Sequence, residues 1–193
     1  MPSATFDIFM IGVGGQGIGL LSEALLRAFD HAGTPVRGVD THGLAQRGGT
    51  VTSHLRVGPD TYSPLVREGH ADLVIALERH EAMRGLQTHL RAGGQLVYYD
   101  AEWQPLPVRL QKQPRLTPEE LAAEAERRKA RLHRVFVDTL PDPRMQNVAV
   151  MAWLVRNRVL PGLEPNHLES ALRDLLDGPV LTRNLELFAT LLR

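Results

Sequence analysis

Two short stretches hold most of the residues that could do chemistry in this 193-residue chain. The first is Gly12-Val-Gly-Gly-Gln-Gly17, whose Gly12, Gly14 and Gly17 match the G-x-G-x-x-G fingerprint of dinucleotide-binding turns. Glycines at that spacing permit a tight turn and let the backbone approach a ligand closely, and the helix that follows favours an anion at its N-terminus. The same glycines also serve simple close packing of a strand against a helix, with no ligand. Gly15 and Gln16 are not demanded by the fingerprint. The second stretch is DTHGLAQRGG, residues 40–49. It gathers the carboxylate of Asp40, the imidazole of His42, the amide of Gln46, the guanidinium of Arg47 and the glycines Gly43, Gly48 and Gly49. Gln46 and Arg47 can reach an amide, carboxylate or phosphate, the guanidinium in bidentate fashion. Asp40 stands near the end of the second expected strand, where a ribose-binding acid belongs. Three uses of the stretch stay open: a polar network that fixes the loop or docks a partner, direct contact with a ligand, and proton transfer by His42.

The elements that must position these residues follow from hydrophobic periodicity. Phe6–Val13 is nearly continuous in apolar residues, as a buried parallel strand should be. Leu20, Leu21, Ala24, Leu25 and Ala28 then recur at helical spacing over Ile18–His31, Gly33 closes the helix, and residues 35–40 return as a strand, completing one βαβ unit. Further strands are expected over Thr50–Val57, 71–77, 95–100 and 132–137, with a turn at Gly58-Pro-Asp60. A helix over 79–91 should end at Gly93-Gly94, and residues 101–115, with Pro105, Pro107 and Pro114, should form a loop or edge excursion. Thr117-Pro-Glu-Glu120 is a capping box that opens a charged helix to about Ala130. From Met145 onward the pattern is helical, over roughly 145–159, 165–176 and 181–193. The expected fold is a doubly wound, mostly parallel, Rossmann-like α/β sheet with a helical C-terminal third, one domain over 1–193 with its core in 1–140 and the helical part in 141–193.

Composition narrows the function classes. Lys+Arg and Asp+Glu each total 22, and a net charge of zero argues against a broad nucleic-acid or membrane footprint. With no cysteine, the chain cannot itself hold a thiolate-bound iron–sulfur cluster, a cysteine zinc site or a disulfide. No signal-peptide pattern or membrane-spanning run is read, so a cytoplasmic protein is expected. Glu78-Arg-His-Glu-Ala-Met-Arg84 contains HExx, but Arg84 stands where a second zinc-binding His would be, and a solvated helix start is expected there. No G-x-S-x-G appears.

Three segments, GVGGQGIGLLSEALL, DTHGLAQRGGTVTSHLRVG and YSPLVREGHADLVIALE, together resemble the gamma-type subunit of the 2-oxoacid:ferredoxin oxidoreductases, and within it the indolepyruvate branch, whose corresponding chain is the beta subunit. They stand in that family's order and spacing over about residues 7–78; beyond 100 the likeness rests mainly on Asn147 and Arg183-Asn-Leu-Glu-Leu-Phe188. The resemblance implies coenzyme A-dependent oxidative decarboxylation of an arylpyruvate, with electrons passed to ferredoxin. It implies thiamine diphosphate, magnesium and the iron–sulfur clusters on a large partner subunit, with none held tightly by this chain. The candidate cofactor- or coenzyme A-binding residues, read from the glycine turn and the polar stretch themselves, are Gly12, Gly14, Gly15, Gln16, Gly17, Asp40, His42, Gln46, Arg47, Gly48 and Gly49. The competing reading is a free-standing nucleotide-binding module or NAD(P)-dependent enzyme built on Gly12–Gly17 and Asp40.

Overall fold

A computed structural model describes residues 5–42, 49–102 and 115–193, with the side chain of His42 outside that set. The loop expected over 101–115 therefore lies largely outside the described residues. Strand β1 (Phe6–Val13) leads into helix α1 (Ile18–His31), and β2 (Val36–His42) is followed by β3 (Thr50–Val57). Then come β4 (Ala71–Ala76), α2 (Arg79–Thr88), β5 (Leu90–Tyr99), α3 (Pro118–Arg127) and β6 (Arg131–Val135). A 3₁₀ turn (Pro143–Met145) opens the helical end: α4 (Gln146–Arg156), α5 (Pro165–Leu175) and α6 (Gly178–Leu192).

The six strands form one sheet in the order β2-β3-β1-β4-β5-β6. β1, β4, β5 and β6 are parallel neighbours, whereas β3 runs antiparallel to both β1 and β2. The α/β class stands, but the expected βαβ unit is not a pair of adjacent strands. β3 is inserted between β1 and β2, and α1 crosses over it. Strand pairing is a choice among distant partners, and nothing in the local pattern of residues 6–57 distinguishes the two arrangements.

The pleat of β1 sends alternate side chains to opposite faces. Ile8 and Met10 face Leu21, Leu25 and Phe29 of α1 and the buried residues of α4, α5 and α6, including Leu154, Leu172 and Phe188. Phe9 and Ile11 face Ala82 and Leu86 of α2 and Leu121 and Ala125 of α3. The C-terminal helices thus complete one of the sheet's two cores. One boundary differs from expectation in an instructive way. Gly93 and Gly94 do not end a helix but lie inside β5, where the pairing with β4 shifts register between Ala71 and Leu73. A side chain on Gly94 would meet the carbonyls of Arg91 and Asp72 at 3.0 and 3.1 Å.

Three histidines are built into this scaffold with their pKa values held down. His54 accepts a hydrogen bond from the Val66 amide at Nδ1 (3.2 Å), and His89 stacks on Phe9 with ring centroids 3.6 Å apart. Burial lowers the pKa of both; the charge of His89 lowers that of His54 further, and Glu68 pulls the other way at His89. His133, against Trp153, is lowered by burial and then by Arg131. A histidine whose folded pKa lies below its unfolded value supports stability above the unfolded value and loses that support as pH falls. Stability should therefore hold at and above neutral pH and decline as pH drops below the ordinary histidine value of 6.5. His89→Phe keeps a ring against Phe9 and should flatten this dependence. Urea midpoints measured from pH 8 to pH 5 check it; parallel curves for variant and wild type would contradict the assignment.

Candidate functional site

The glycine turn sits at the carboxyl end of β1, and each of its residues has a separate task. Gly12 is still in the strand, and a Cβ there would come within 2.8 Å of Ile18 Cγ1, so this glycine serves strand–helix contact. The Gly14 N–H donates to the carbonyl of Gly49 at 2.9 Å, joining the turn to the end of the DTHGLAQRGG stretch. Gln16 folds inward: it is 2% exposed, and its Oε1 accepts from the Val13 N–H at 2.8 Å. Its role in the described residues is to lock the turn rather than to reach outward. Gly15 and Gly17 have φ of +99° and +87°, which side-chain-bearing residues rarely adopt. Gly17 is the N-cap of α1 and offers no side chain to the first-turn amides, leaving that turn's donors for water or an anion.

Opposite the turn stand residues from the C-terminal part of the chain. A cleft of about 390 Å³ is lined by Gly15, Gly17 and Leu20 on one side and by Asp142, Arg144, Asn147, Arg183 and Asn184 on the other. Asn147 is 3% exposed and donates from Nδ2 to the Gly17 carbonyl at 3.3 Å, so helix α4 is tied to the glycine turn at its tightest point. Asn184 Nδ2 donates to the Val180 carbonyl at 2.7 Å. Arg144 grips Asp142 (2.7 Å) and, as the main cause, pulls that carboxyl down to about 2, so it stays ionised. The cleft therefore combines unobstructed backbone, the Arg183 guanidinium, amide side chains and an Arg144–Asp142 ion pair that adds no net charge, a set suited to a hydrogen-bonding ligand with an anionic group at Arg183.

The polar stretch 40–49 connects the antiparallel neighbours β2 and β3. Gly43, Gln46, Arg47 and Gly48 lie outside the described residues, and His42 is placed only as the last residue of β2. Asp40 is not at the glycine turn. Its strand is separated from β1 by β3, a backbone separation of about 10 Å at ordinary strand spacing. Its Oδ1 accepts from Ser22 Oγ (3.0 Å) and Ser53 Oγ (2.6 Å), tying α1, β2 and β3 together. The ribose-acid placement read from sequence assumed β2 beside β1, and the inserted strand removes that geometry.

The expected solvated start of α2 is instead buried. Glu78 is 0% and Glu81 4% exposed. Glu78 caps the helix by accepting from the Glu81 N–H at 2.9 Å, and its other oxygen meets His80 Nδ1 at 3.0 Å. Glu81 Oε1 accepts from Thr50 Oγ1 at 3.1 Å. Burial pushes the Glu81 carboxyl up, against the pull of Arg84 and the Thr50 hydrogen bond. A charged-looking heptapeptide carries no mark that its carboxylates point inward; only the close passage of β1, β3 and α2 decides it. Likewise no spacing signal links Arg144 or Asn184 to Gly17. Among the described residues no three His, Asp or Glu side chains assemble as a metal centre, and no helix is long and apolar enough to cross a membrane.

Residues 7–190 match the family described as pyruvate ferredoxin/flavodoxin oxidoreductase. The indolepyruvate oxidoreductase subunit IorB of Archaeoglobus fulgidus is 50% identical over 78 residues, 40% of this chain and 38% of that protein. The subunit of the same name from Thermococcus kodakarensis is 40% identical over 102 residues, 53% of this chain and 48% of that protein. The chain thus spans less than half the length of these curated relatives. Among solved structures, the 2-oxoglutarate:ferredoxin oxidoreductase of Magnetococcus marinus, with 2-oxoglutarate, coenzyme A and succinyl-CoA bound, superposes with a TM-score of 0.68 at 19% identity, over 96% of this chain and 30% of that one. The keto/oxoacid ferredoxin oxidoreductase gamma subunit of Geobacter sulfurreducens gives 0.63 at 18% identity, over 95% of this chain and 94% of that one. The likeness to these structures is one of fold, and the family match extends over nearly the whole sequence: the chain belongs to the pyruvate ferredoxin/flavodoxin oxidoreductase family.

Proposed function

We propose that this chain is the gamma-type subunit of a 2-oxoacid:ferredoxin oxidoreductase acting on indolepyruvate or a related arylpyruvate. In the overall reaction the 2-oxoacid and coenzyme A give an acyl-CoA and carbon dioxide, and the two electrons released reduce ferredoxin. The observation that carries the reading is the cleft in which the left-handed Gly15 and Gly17 face Arg144, Asn147 and Arg183. A phosphate of coenzyme A suits that set of donors, with the backbone amides of the turn donating and the Arg183 guanidinium neutralising charge. The names of the curated relatives favour the indolepyruvate branch.

The division of labour follows from the side chains present. A chain without cysteine leaves thiolate-held clusters to a partner. Thiamine diphosphate with magnesium, which supplies the carbanion stabilisation that decarboxylation needs, belongs with the same large subunit. This chain's own residues bind and orient: the turn and cleft hold the thiol-bearing co-substrate, and loop 40–49 adjoins them through Gly49. A cytoplasmic complex that meets ferredoxin, without nucleic acid or membrane as partner, fits the balanced charge. The NAD reading loses support because Asp40 stands a strand away from the turn, with its Oδ1 accepting from Ser22 and Ser53.

The test is reconstitution. The purified chain should be colourless and should not oxidise 2-oxoacids, whereas co-expression with the large subunit should yield coenzyme A-dependent reduction of ferredoxin or a viologen dye by indolepyruvate. Turnover by the isolated chain would refute the subunit assignment. Calorimetry on the assembled complex that found tight NAD binding and no coenzyme A binding would restore the rival reading.

A further inference from the structure

One buried ion-bearing group has no part in the cleft just described. Glu81 lies beneath it, on the α2 face of the sheet, and is almost wholly withdrawn from water. Its Oε2 makes no hydrogen bond among the described residues: Arg84 Nε lies 3.2 Å away but out of line, on a guanidinium that is mostly exposed. Burying a carboxylate this way is costly, and a neutral amide would offer Thr50 the same acceptor for less. What the carboxylate adds, when ionised, is strength, since a hydrogen bond to an ionised acceptor is roughly twice as strong as a neutral one.

The location of that bond says what it can hold. Thr50 is the first residue of β3, paired across the sheet with Val13, the last of β1. Gly49, its predecessor, supplies the carbonyl that accepts the Gly14 N–H. Glu81 is itself fixed, because its backbone N–H is held by the buried Glu78 cap, and Glu78 is held by His80, whose Nε2 in turn accepts from the Leu116 N–H at 3.4 Å. A continuous chain of contacts therefore runs from α2 through Glu81 and Thr50 to Gly49 and Gly14.

We propose that Thr50 and Glu81 form a clamp that positions the glycine turn, fixing the Gly49–Thr50 junction to α2 so that the Gly49 carbonyl holds Gly14 in place. Neither residue touches the ligand; both are positioning residues for it. The functional part of this inference rests on the assignment of the cleft to coenzyme A, whereas the clamp itself does not.

Amide exchange on the full chain reads the clamp directly. Thr50→Val keeps the branched shape and removes the donor. It should lower protection of the Gly14 N–H by about tenfold or more while amides in the core of β4 keep theirs. Thr50→Ser, which restores a donor, should return wild-type protection. Glu81→Gln keeps the acceptor without the charge and should fall between the two, which gives a second route if Thr50→Val does not fold. In the reconstituted complex, Thr50→Val should raise the KM for coenzyme A several-fold, with kcat within about twofold of wild type. Unchanged Gly14 protection in Thr50→Val, or an equal loss spread over all core amides, would overturn the clamp. Loss confined to Gly14 with an unchanged coenzyme A KM would uphold the clamp and refute the ligand assignment instead.

Discussion

Gly17→Ala is expected to be the most damaging single-methyl change in this protein. Two costs coincide at that position. A φ of +87° puts an alanine in the left-handed region, at about 1–2 kcal/mol. The added Cβ would also stand 2.5 Å from Asn147 Nδ2, so the amide that ties α4 to the turn must move, at about 1–3 kcal/mol more for overpacking. Together these amount to about 2–5 kcal/mol of stability. Under the proposed assignment of the cleft to coenzyme A, displacing the turn should also weaken coenzyme A binding by the assembled complex. Two other glycines separate the contributions. Gly15 shares the left-handed conformation (φ +99°) but has nothing within 4 Å, so Gly15→Ala should carry the backbone cost alone. Gly19, inside α1 and equally open, has no such constraint, and Gly19→Ala should be neutral or stabilising by up to about 1 kcal/mol. Urea unfolding and calorimetric titration give the order directly. Equal losses for Gly17→Ala and Gly15→Ala would mean that the Asn147 contact is not what constrains the turn.

Phe188→Ala should cost about 3–5 kcal/mol, a large share of the roughly 5–15 kcal/mol by which a domain is stable. Phe188, 0% exposed, is the most deeply set apolar side chain of the fifteen-residue helix α6, and Leu181, Leu185 and Leu192 pack partly buried against the same core. It joins the core that includes Leu154 and Val155 of α4 and Leu172 of α5. Because that core is continuous with Ile8, Met10 and Leu25, the loss should be felt by the sheet as well as by the helix. Unfolding followed by far-UV circular dichroism and by tryptophan fluorescence should shift together to lower urea. Val180, 45% exposed on the same helix, provides the control, and its replacement by alanine should stay within about 0.5 kcal/mol. An unfolding transition of the sheet that ignored Phe188→Ala would show α6 to be an appendage.

The turn and its flanks were legible because they are local. An apolar run, glycines at fixed spacing and a 3.6-residue period define β1, the turn and α1 within residues 6–31, and the structure has all three at those bounds. The capping box at Thr117 was legible for the same reason, since Thr117 and Glu120 satisfy each other's amides at 2.8 and 3.2 Å. Other signals were ambiguous in themselves. Gly93-Gly94 reads equally as a helix stop or as a strand irregularity, and the approach of the Asp72 carbonyl, twenty-two residues away, settles it.

What the amino-acid order by itself determined, then, is the set of elements, the glycine turn between the first two, and the absence of any thiolate to hold a cluster. Only the tertiary structure decided which strand lies beside β1, and with it the fate of Asp40, whose carboxylate went to Ser22 and Ser53. It alone brought Arg144, Asn147 and Arg183 to the turn and turned Glu78 and Glu81 inward. The reason is physical. Element formation is governed by neighbours a few residues apart, whereas pairing and burial are settled by the competition of distant surfaces for one another, and a side chain's chemistry depends on which of those surfaces it meets.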